Sequence, residues 1–489
     1  MAEIDRRAQE EYSIPGQLLM ENAGLKTYLR LRERLWGGGL PGGPVVFVAG
    51  KGNNGGDALV IARQCYVDGM RGGTIVSVGA TESLQTEICR KLGIPVYEWP
   101  DAAAREAIAR AEVLVDGLTG TGLRGSLRAP LDEAAAAMNA SAAYTIAIDV
   151  PSGVGDSFRP SFPAVQAELT VTMGLPKLCL YLPHARPLCG EIVIVPIGFP
   201  PALVDAEDIP GELMTLSTVR SMVPAVAATA YKNKRGTVGV FAGAIGTTGA
   251  AVLASQAAAR SRAGLVTLFI TPEAYPLTAP RLGGVMVRPC DFDSCEPSEA
   301  DVVRFDVRLV GPGWGISASR RRWLRALFAA GAGVLDADGL NLLAEEEFDG
   351  LDLRGRWILT PHPLEFARLA KLSRDEVLDD PLPPLLYLSK TLQAVIVLKS
   401  HVTYVASPNG RYWVLDGMTP ALGTGGSGDL LAGVIAGFLA GGLAPEAAAC
   451  AGVLVHNRAG RRGFAELGWF AAEDLLPYIS REARLDEGE

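Results

Sequence analysis

At 489 residues, 48% of them hydrophobic and 20% charged, the chain is too long for one ordinary core and too apolar to be disordered. A formal charge of -9 argues against a nucleic-acid surface, so an anionic ligand must be held by local devices such as helix starts. Seven cysteines without a CxxC pair and four scattered histidines exclude a zinc framework and fit buried, reduced thiols in a cytosol. The opening MAEIDRRAQEEY has no apolar signal core. The most membrane-like stretch, 430–444, is glycine-rich and stops short of a span at Pro445-Glu446. A cytoplasmic protein with no membrane partner is therefore expected.

In the first half, residues 45–49, 75–78, 113–116, 145–150, 169–173 and 192–197 are short, β-branched and flanked by turn residues. Helical stretches such as 58–68 and 102–110 separate the first four. That alternation predicts a parallel sheet with helices on both faces, and ligands in such sheets gather at the carboxyl ends of the strands. After the first strand comes GKGNNGGDA (50–58), which opens a helix but is neither GxGxxG nor a P-loop. Its Asn53, Asn54 and Asp57 supply amide and carboxylate groups that a plain phosphate loop lacks. DGLTGTGLRGS sets Asp116 at a strand end before a glycine loop, 120–126, and DVPSG sets Asp149 at another, followed by Ser152. Asn54, Asp116 and Ser152 are oxygen donors of the kind that hold a hard cation such as potassium or magnesium. Singly, a strand-end aspartate is as readily a helix cap; three such loops on one edge favour a ligand site.

These motifs, with LLMENAG at 18–24 and ELTVTMGLPK at 168–177, run in an order and spacing that resemble the NAD(P)H-hydrate epimerase domain over residues 4–198. The resemblance implies a Rossmann-like three-layer domain over 1–210. It implies substrate on Asn53, Asn54, Gly55, Gly56 and Asp57, on Gly120, Thr121, Gly122, Leu123, Arg124, Gly125 and Ser126, and at Asp149. It also implies potassium at Asn54, Asp116 and Ser152. Ala58 stands where the family usually has glycine, and VGDSFRPSF replaces an acidic stretch after DVPSG. The chemistry is simple in outline. A hydrated nicotinamide bears a hydroxyl beside the ring nitrogen; once that hydroxyl is protonated, the nitrogen lone pair expels it and water returns to either face. One carboxyl that gives and retrieves a proton suffices, and Asp149 is assigned that role.

Residues 199–217, rich in proline and acid and without periodicity, read as a linker. The second half starts with YKNKRGTVGVFAGAIGTTGAA (231–251), a strand at 238–242 and an Ala-rich helix from Gly249-Ala250 to 263. A strand at 265–270 follows, then RLVGPGWG (308–315), GAGVLDADGLNLL (331–343), WILTPHPLEFARL (357–369) and AVIVLKSHVTYVASPNG (394–410). Each strand again ends in a turn rich in Gly, Pro or Asp. The stretch GTGGSGDLLAGVIAG (423–437) comes next, before a last helix at about 445–460. Leu430, Leu431, Val434, Ile435, Phe438 and Leu439 follow a helical period, so the Gly-rich residues before them form a helix start with free N–H groups. That is an anion site, most often for phosphate. Asp429 either complements the helix dipole or takes a proton from a hydroxyl that attacks the phosphate; inside this loop the second reading is adopted.

Over 218–478, VGPGWG, DADGLNLL, LTPHPLEFARL and GTGGSGDLLAG in this order resemble the ADP-dependent NAD(P)H-hydrate dehydratase domain. The resemblance implies a ribokinase-like α/β domain over 218–489, with substrate near Ala250, Gly313, His362 and Asp429. It implies a nucleotide on Lys399, Ser400, His401, Val402, Thr403 and Gly428, with ADP as co-substrate and Mg2+. The family commonly has Lys-Gly and a small residue where this chain reads Lys399-Ser400-His401, and GMTPAL replaces its Asn-containing turn. Taken apart from the resemblance, His362 reads as a helix-capping loop residue and Lys399 as a solvated strand end. Together the halves imply one enzyme that epimerises R- and S-NAD(P)HX and dehydrates the S form, giving NAD(P)H, AMP and phosphate. The competing reading is a hydroxymethylpyrimidine- or thiazole-type kinase fused to a non-catalytic Rossmann-like binding module. A homo-oligomer is expected from the resemblance alone.

Overall fold

The computed structural model describes residues 2–79, 83–206, 209–345 and 351–485. Its chain divides into two units, Met1–Asp208 and Ile209–Glu489. In the first unit, β1 (Val45–Ala49), β2 (Gly73–Ser77), β3 (Val96–Glu98), β4 (Val113–Gly117), β5 (Tyr144–Ile148), β6 (Leu169–Met173) and β7 (Glu191–Val195) form one sheet. Its order is β3-β2-β1-β4-β5-β6-β7, with every pair parallel. Every residue of β1 and β6 is buried, because helices cover both faces and neither side of a strand meets water. One core centres on Phe47, Val115 and Ile146, and a second on Val46, Val48 and Leu114. Sheet order reverses between β1 and β4, which opens a crevice at their carboxyl ends.

The predicted strand over 145–150 ends early. Asp149 turns out of it with φ of +65° while its N–H bonds Val171 O at 2.8 Å. Edge strand β3 is not legible in the sequence, since one half-buried and two exposed residues carry no alternation.

The second unit carries β8 (Gly211–Leu213), β9 (Thr237–Phe241), β10 (Leu265–Ile270), β11 (Met286–Pro289), β12 (Val307–Val310), β13 (Ala332–Leu335), β14 (Trp357–Leu359), β15 (Val395–Leu398), β16 (Val402–Ala406) and β17 (Tyr412–Asp416). Their order is β11-β10-β9-β12-β13-β14-β15-β16-β17-β8. The run from β11 to β15 is parallel, and β15-β16-β17 is antiparallel.

β8 lies in the linker expected over 199–217, which contains the boundary between the two units and is not wholly irregular. It pairs in parallel with β17, pinned by Trp413 Nε1 donating to Glu212 Oε2 at 3.2 Å. Pro201–Ala206 is a short helix whose Leu203 packs with Ile4, Ala8 and Leu19. Each piece is too short to show periodicity, which is why the stretch reads as unstructured.

The Ser427–Ala440 helix is buried nearly all round between the Thr248–Arg260 and Pro445–Leu467 helices. A Cβ on Gly433 would stand 2.3 Å from Ala254 O, so its glycine permits the close crossing. Among the described residues no helix is long and apolar enough to cross a membrane. All seven cysteines are free, but only five are buried; Cys290 is half-buried and Cys295 exposed, against the expectation of uniformly buried thiols.

Candidate active sites

In the first unit the turn after β1 runs straight into the Asn53–Val67 helix. Its N-cap, Gly52, brings no side chain, so the first-turn N–H groups remain open to a ligand. A Cβ on Gly55 would lie 2.0 Å from Gly50 O, so only glycine lets the turn close there. Ala58 is buried with its methyl against Gly117, where it fills space beneath the loop rather than facing it.

Three loops meet at the switch point. Asp116, fully buried at the end of β4, accepts Ser152 N at 2.7 Å on Oδ2, and Ser152 Oγ at 2.6 Å and Leu118 N at 3.2 Å on Oδ1. Ser152 Oγ in turn accepts Thr119 N at 2.8 Å. Burial raises the Asp116 carboxyl to about 6, against the pull of these hydrogen bonds. Asn54 Nδ2 donates to Thr119 O at 2.9 Å, leaving Asn54 Oδ1 buried without a partner. The three sequence-predicted cation donors are therefore brought together, one with an orphaned oxygen.

Asp149 lies in a second cluster. Its Oδ1 receives Lys177 Nζ, Met173 N at 3.2 Å and Thr172 Oγ1 at 3.4 Å. Lys177 is buried and also donates to Thr172 Oγ1 at 3.0 Å and to Met173 O. Asp57 is 9% exposed and its carboxyl has no hydrogen bond among the described residues. Burial, then repulsion by Asp149 and Asp5, push that carboxyl well above its ordinary range, with Lys177 opposing. Asn53 is exposed and Gly56 half-buried. In the 120–126 loop, Gly120 backs onto Asn54, while Thr121, Gly122 and Arg124 are exposed and Leu123, Gly125 and Ser126 half-buried.

In the second unit the Ser427–Ala440 helix starts at Gly426, φ +89°, again with no side-chain cap. Leu430 N reaches back to Gly426 O at 3.1 Å, so the N–H groups of Gly428 and Asp429 are first-turn donors free of the helix ladder. Asp429 is pushed up to about 7, chiefly by burial, then by Asp336, with Lys399 opposing and Asp338 and Glu365 adding. Lys399 is not the solvated strand end its local sequence suggests. Its Nζ lies 2.7 Å from Asp336 Oδ1, which also accepts Thr360 Oγ1 at 2.8 Å. Burial alone would lower the Lys399 ammonium, but Asp336 and Glu365 outweigh it and hold it raised.

The remaining predicted residues of the second unit sit on its helix starts, turns and strands. Ala250 is in the first turn of the Thr248–Arg260 helix, and Gly313, φ +55°, accepts Thr247 Oγ1 on its carbonyl at 2.7 Å. His362 is the N-cap of the Pro363–Ala370 helix: Nδ1 accepts Leu364 N at 3.1 Å and Glu365 N at 3.3 Å, while Glu365 accepts His362 N at 2.8 Å. Ser400 Oγ bonds His401 Nδ1 at 3.1 Å, and Thr403 Oγ1 donates to Ser400 O at 3.0 Å. Val402 is wholly buried in β16, so its side chain is unavailable to a nucleotide and only its backbone remains.

Sequence reasoning missed Lys177, Asp336, Thr360 and His456. Buried His456 sits 2.9 Å from Ser427 Oγ, and burial lowers it to about 4, a neutral imidazole that fixes the loop. Lys177 and Asp336 stand in stretches already singled out, just after a strand; their polarity at a strand end was the available signal.

Two α/β units on largely parallel sheets, one with a carboxylate–lysine crevice and one with an uncapped helix start beside a carboxyl of raised pKa, define a two-centre enzyme. Residues 16–179 match the YjeF-related protein N-terminus family, and residues 238–481 the NAD(P)H-hydrate dehydratase family. The chain is 36% identical to the bifunctional NAD(P)H-hydrate repair enzyme Nnr of Coxiella burnetii, covering 89% of each chain. It is 32% identical to that of Moorella thermoacetica, covering 98% of this chain and 95% of the relative. The ADP/ATP-dependent NAD(P)H-hydrate dehydratase from Bacillus subtilis, co-crystallised with ATP/Mg2+, superposes with a TM-score of 0.50 at 28% identity, over 57% of this chain and all of that one. The chain belongs to the bifunctional NAD(P)H-hydrate repair enzymes. Its second unit is a ribokinase-like dehydratase domain, and the competing kinase reading is set aside.

Proposed function

We propose that the first unit interconverts the R and S forms of NADHX and NADPHX, and that the second dehydrates the S form with ADP as phosphoryl donor. The observation that carries this reading is Asp429, a carboxyl raised to about 7 at an uncapped helix start beside Lys399. A base of that pKa is deprotonated near neutrality yet still takes a proton readily. Asp429 removes the proton from the substrate hydroxyl, whose oxygen attacks the terminal phosphorus of ADP. The N–H groups of Gly428 and Asp429 stabilise the transferring oxygens, with the Lys399 ammonium beside them. Phosphate then leaves with the carbon–oxygen bond pair, and loss of a ring proton restores the dihydropyridine; the products are NAD(P)H, AMP and phosphate.

In the first unit Asp149 handles the proton of the departing and returning water. The orphaned Asn54 Oδ1, beside Asp116 and Ser152, fits potassium, which would supply charge to orient the substrate-binding loops. Magnesium would arrive with the nucleotide phosphates, since among the described residues no three or more His, Cys, Asp or Glu side chains are placed to hold a metal ion. Substrate contacts on 53–57, on 120–126 and at Ala250, Gly313 and His362, and nucleotide contacts on 399–403 and Gly428, belong to the same reading. So do a homo-oligomer and a cytoplasmic location, the latter supported by seven free thiols. Purified R-NADHX tests both centres: conversion to the S form without nucleotide, followed by NADH release on adding ADP, is expected. NADH release with ADP from S but never from R-NADHX would reject the epimerase half.

A further inference from the structure

The two ends of the second unit's sheet are built differently. Asp336 and Lys399 stand just past the carboxyl ends of β13 and β15, in the centre described above. At the opposite end, Gly236, Val307 and Ala332, where β9, β12 and β13 begin, line a cavity of about 400 Å3. Leu439 and Leu443, both buried, give it an apolar wall. Leu439 lies ten residues beyond Asp429 on the Ser427–Ala440 helix, about 15 Å along its axis, so the cavity is distinct from that centre. Two cations line it without a counter-charge. The half-buried Arg356 has no ion pair among the described residues, and its Nε is buried without a hydrogen-bond partner. Lys234 likewise has no carboxylate partner among the described residues; its ammonium lies 5.6 Å from the centre of the Tyr231 ring. The one lining carboxylate, Asp306, turns Oδ2 to Thr237, accepting its N–H and its Oγ1 at 2.8 Å each. The Ser427–Ala440 helix ends at the cavity and the Pro445–Leu467 helix starts there, so their opposed dipole ends offset each other and the side chains set the sign.

We propose that this cavity is a binding site for a phosphate monoester with a flat, apolar body, held by Arg356 and Lys234. A buried N–H without an acceptor is costly, and an anion in the cavity supplies one to Arg356 Nε. A phosphate monoester carries a charge of about −1.5 to −2 and three acceptor oxygens, which matches two unpaired monocations; a carboxylate brings only half that charge. Guanidinium also takes phosphate oxygens in pairs, and the nearby ammonium adds a point charge. The volume lies in the range of small-molecule sites and exceeds what a lone phosphate fills. The remaining space, against Val307, Leu439 and Leu443, suits an apolar ring. Because the cavity is at the far end of the sheet, its ligand does not compete with a nucleotide at Lys399 and Gly428. The site stands independently of the reading given to either centre.

The test is calorimetric titration of phenyl phosphate into the full chain, with and without saturating ADP and magnesium. Wild type is expected to bind phenyl phosphate at a site that ADP does not displace. Lys234→Glu and Arg356→Met are each expected to weaken that site at least 10-fold. Benzenesulfonate, of similar shape but a single charge, is expected to bind there at least 10-fold more weakly than phenyl phosphate. No binding by wild type, displacement by ADP, or undiminished affinity in Lys234→Glu would overturn the site. Equal binding of phenyl phosphate and benzenesulfonate would overturn its assignment to a phosphate monoester. Lys234 is exposed, so its variant decides the matter even if Arg356→Met does not fold.

Discussion

Lys399 Nζ lies 2.7 Å from Asp336 Oδ1, joining the ends of β15 and β13 across β14, whose following residue Thr360 donates to the same oxygen. The triad holds a cation beside Gly428, where an added Cβ would stand 3.4 Å from the ammonium. Replacing Asp336 by Asn leaves the half-buried ammonium without its hydrogen-bonded carboxylate. The expected cost is about 1–3 kcal/mol of unfolding free energy, read from denaturant melts of the second-unit transition.

Asp429→Asn removes the proposed base and is expected to lower dehydration by about 10²–10⁴-fold while epimerisation persists. The pH dependence has a definite sign. Asp429 acts deprotonated, so dehydration is lost as pH falls through about 7 and is full above it. Lys399→Met removes the group that lowers the Asp429 pKa, so the same limb shifts to higher pH. An unshifted limb would separate Lys399 from Asp429.

His362 combines a helix cap with the proposed substrate contact, and two substitutions separate them. His362→Ala should cost about 1 kcal/mol of stability and raise KM for S-NADHX. His362→Asn keeps a capping side chain, so stability should return while KM stays high. If Asn restores both, the imidazole touches no substrate.

Potassium is expected to raise both the melting temperature of the first unit and the rate of epimerisation, relative to choline at equal ionic strength. Asn54→Ala deletes the orphaned Oδ1 and should abolish the potassium-dependent increments. A potassium response unchanged in this variant would remove Asn54 from the cation site.

Much of this was legible along the chain because the determinants are local. Parallel strands such as Val45–Ala49 announce themselves as β-branched runs, and the Gly-rich start before Asp429 announces an anion site. What was not legible depends on distance. Lys177 meets Asp149 across 28 positions and Lys399 meets Asp336 across 63, and no window of sequence shows such a partner. The same holds for β8, a three-residue strand defined only by its neighbour β17. For His362 the local sequence, with Pro363 and Glu365 following, does spell out the helix cap that the structure shows.

The most direct measurement is the dihydronicotinamide absorbance recovered when the purified chain meets mixed NADHX epimers with ADP, magnesium and potassium. Full recovery is expected, dependent on nucleotide, with a slower second phase as the R form is epimerised. Recovery that stops when the S form is exhausted would contradict the first centre. No recovery with either ADP or ATP would contradict the second centre and, with it, a two-centre repair enzyme.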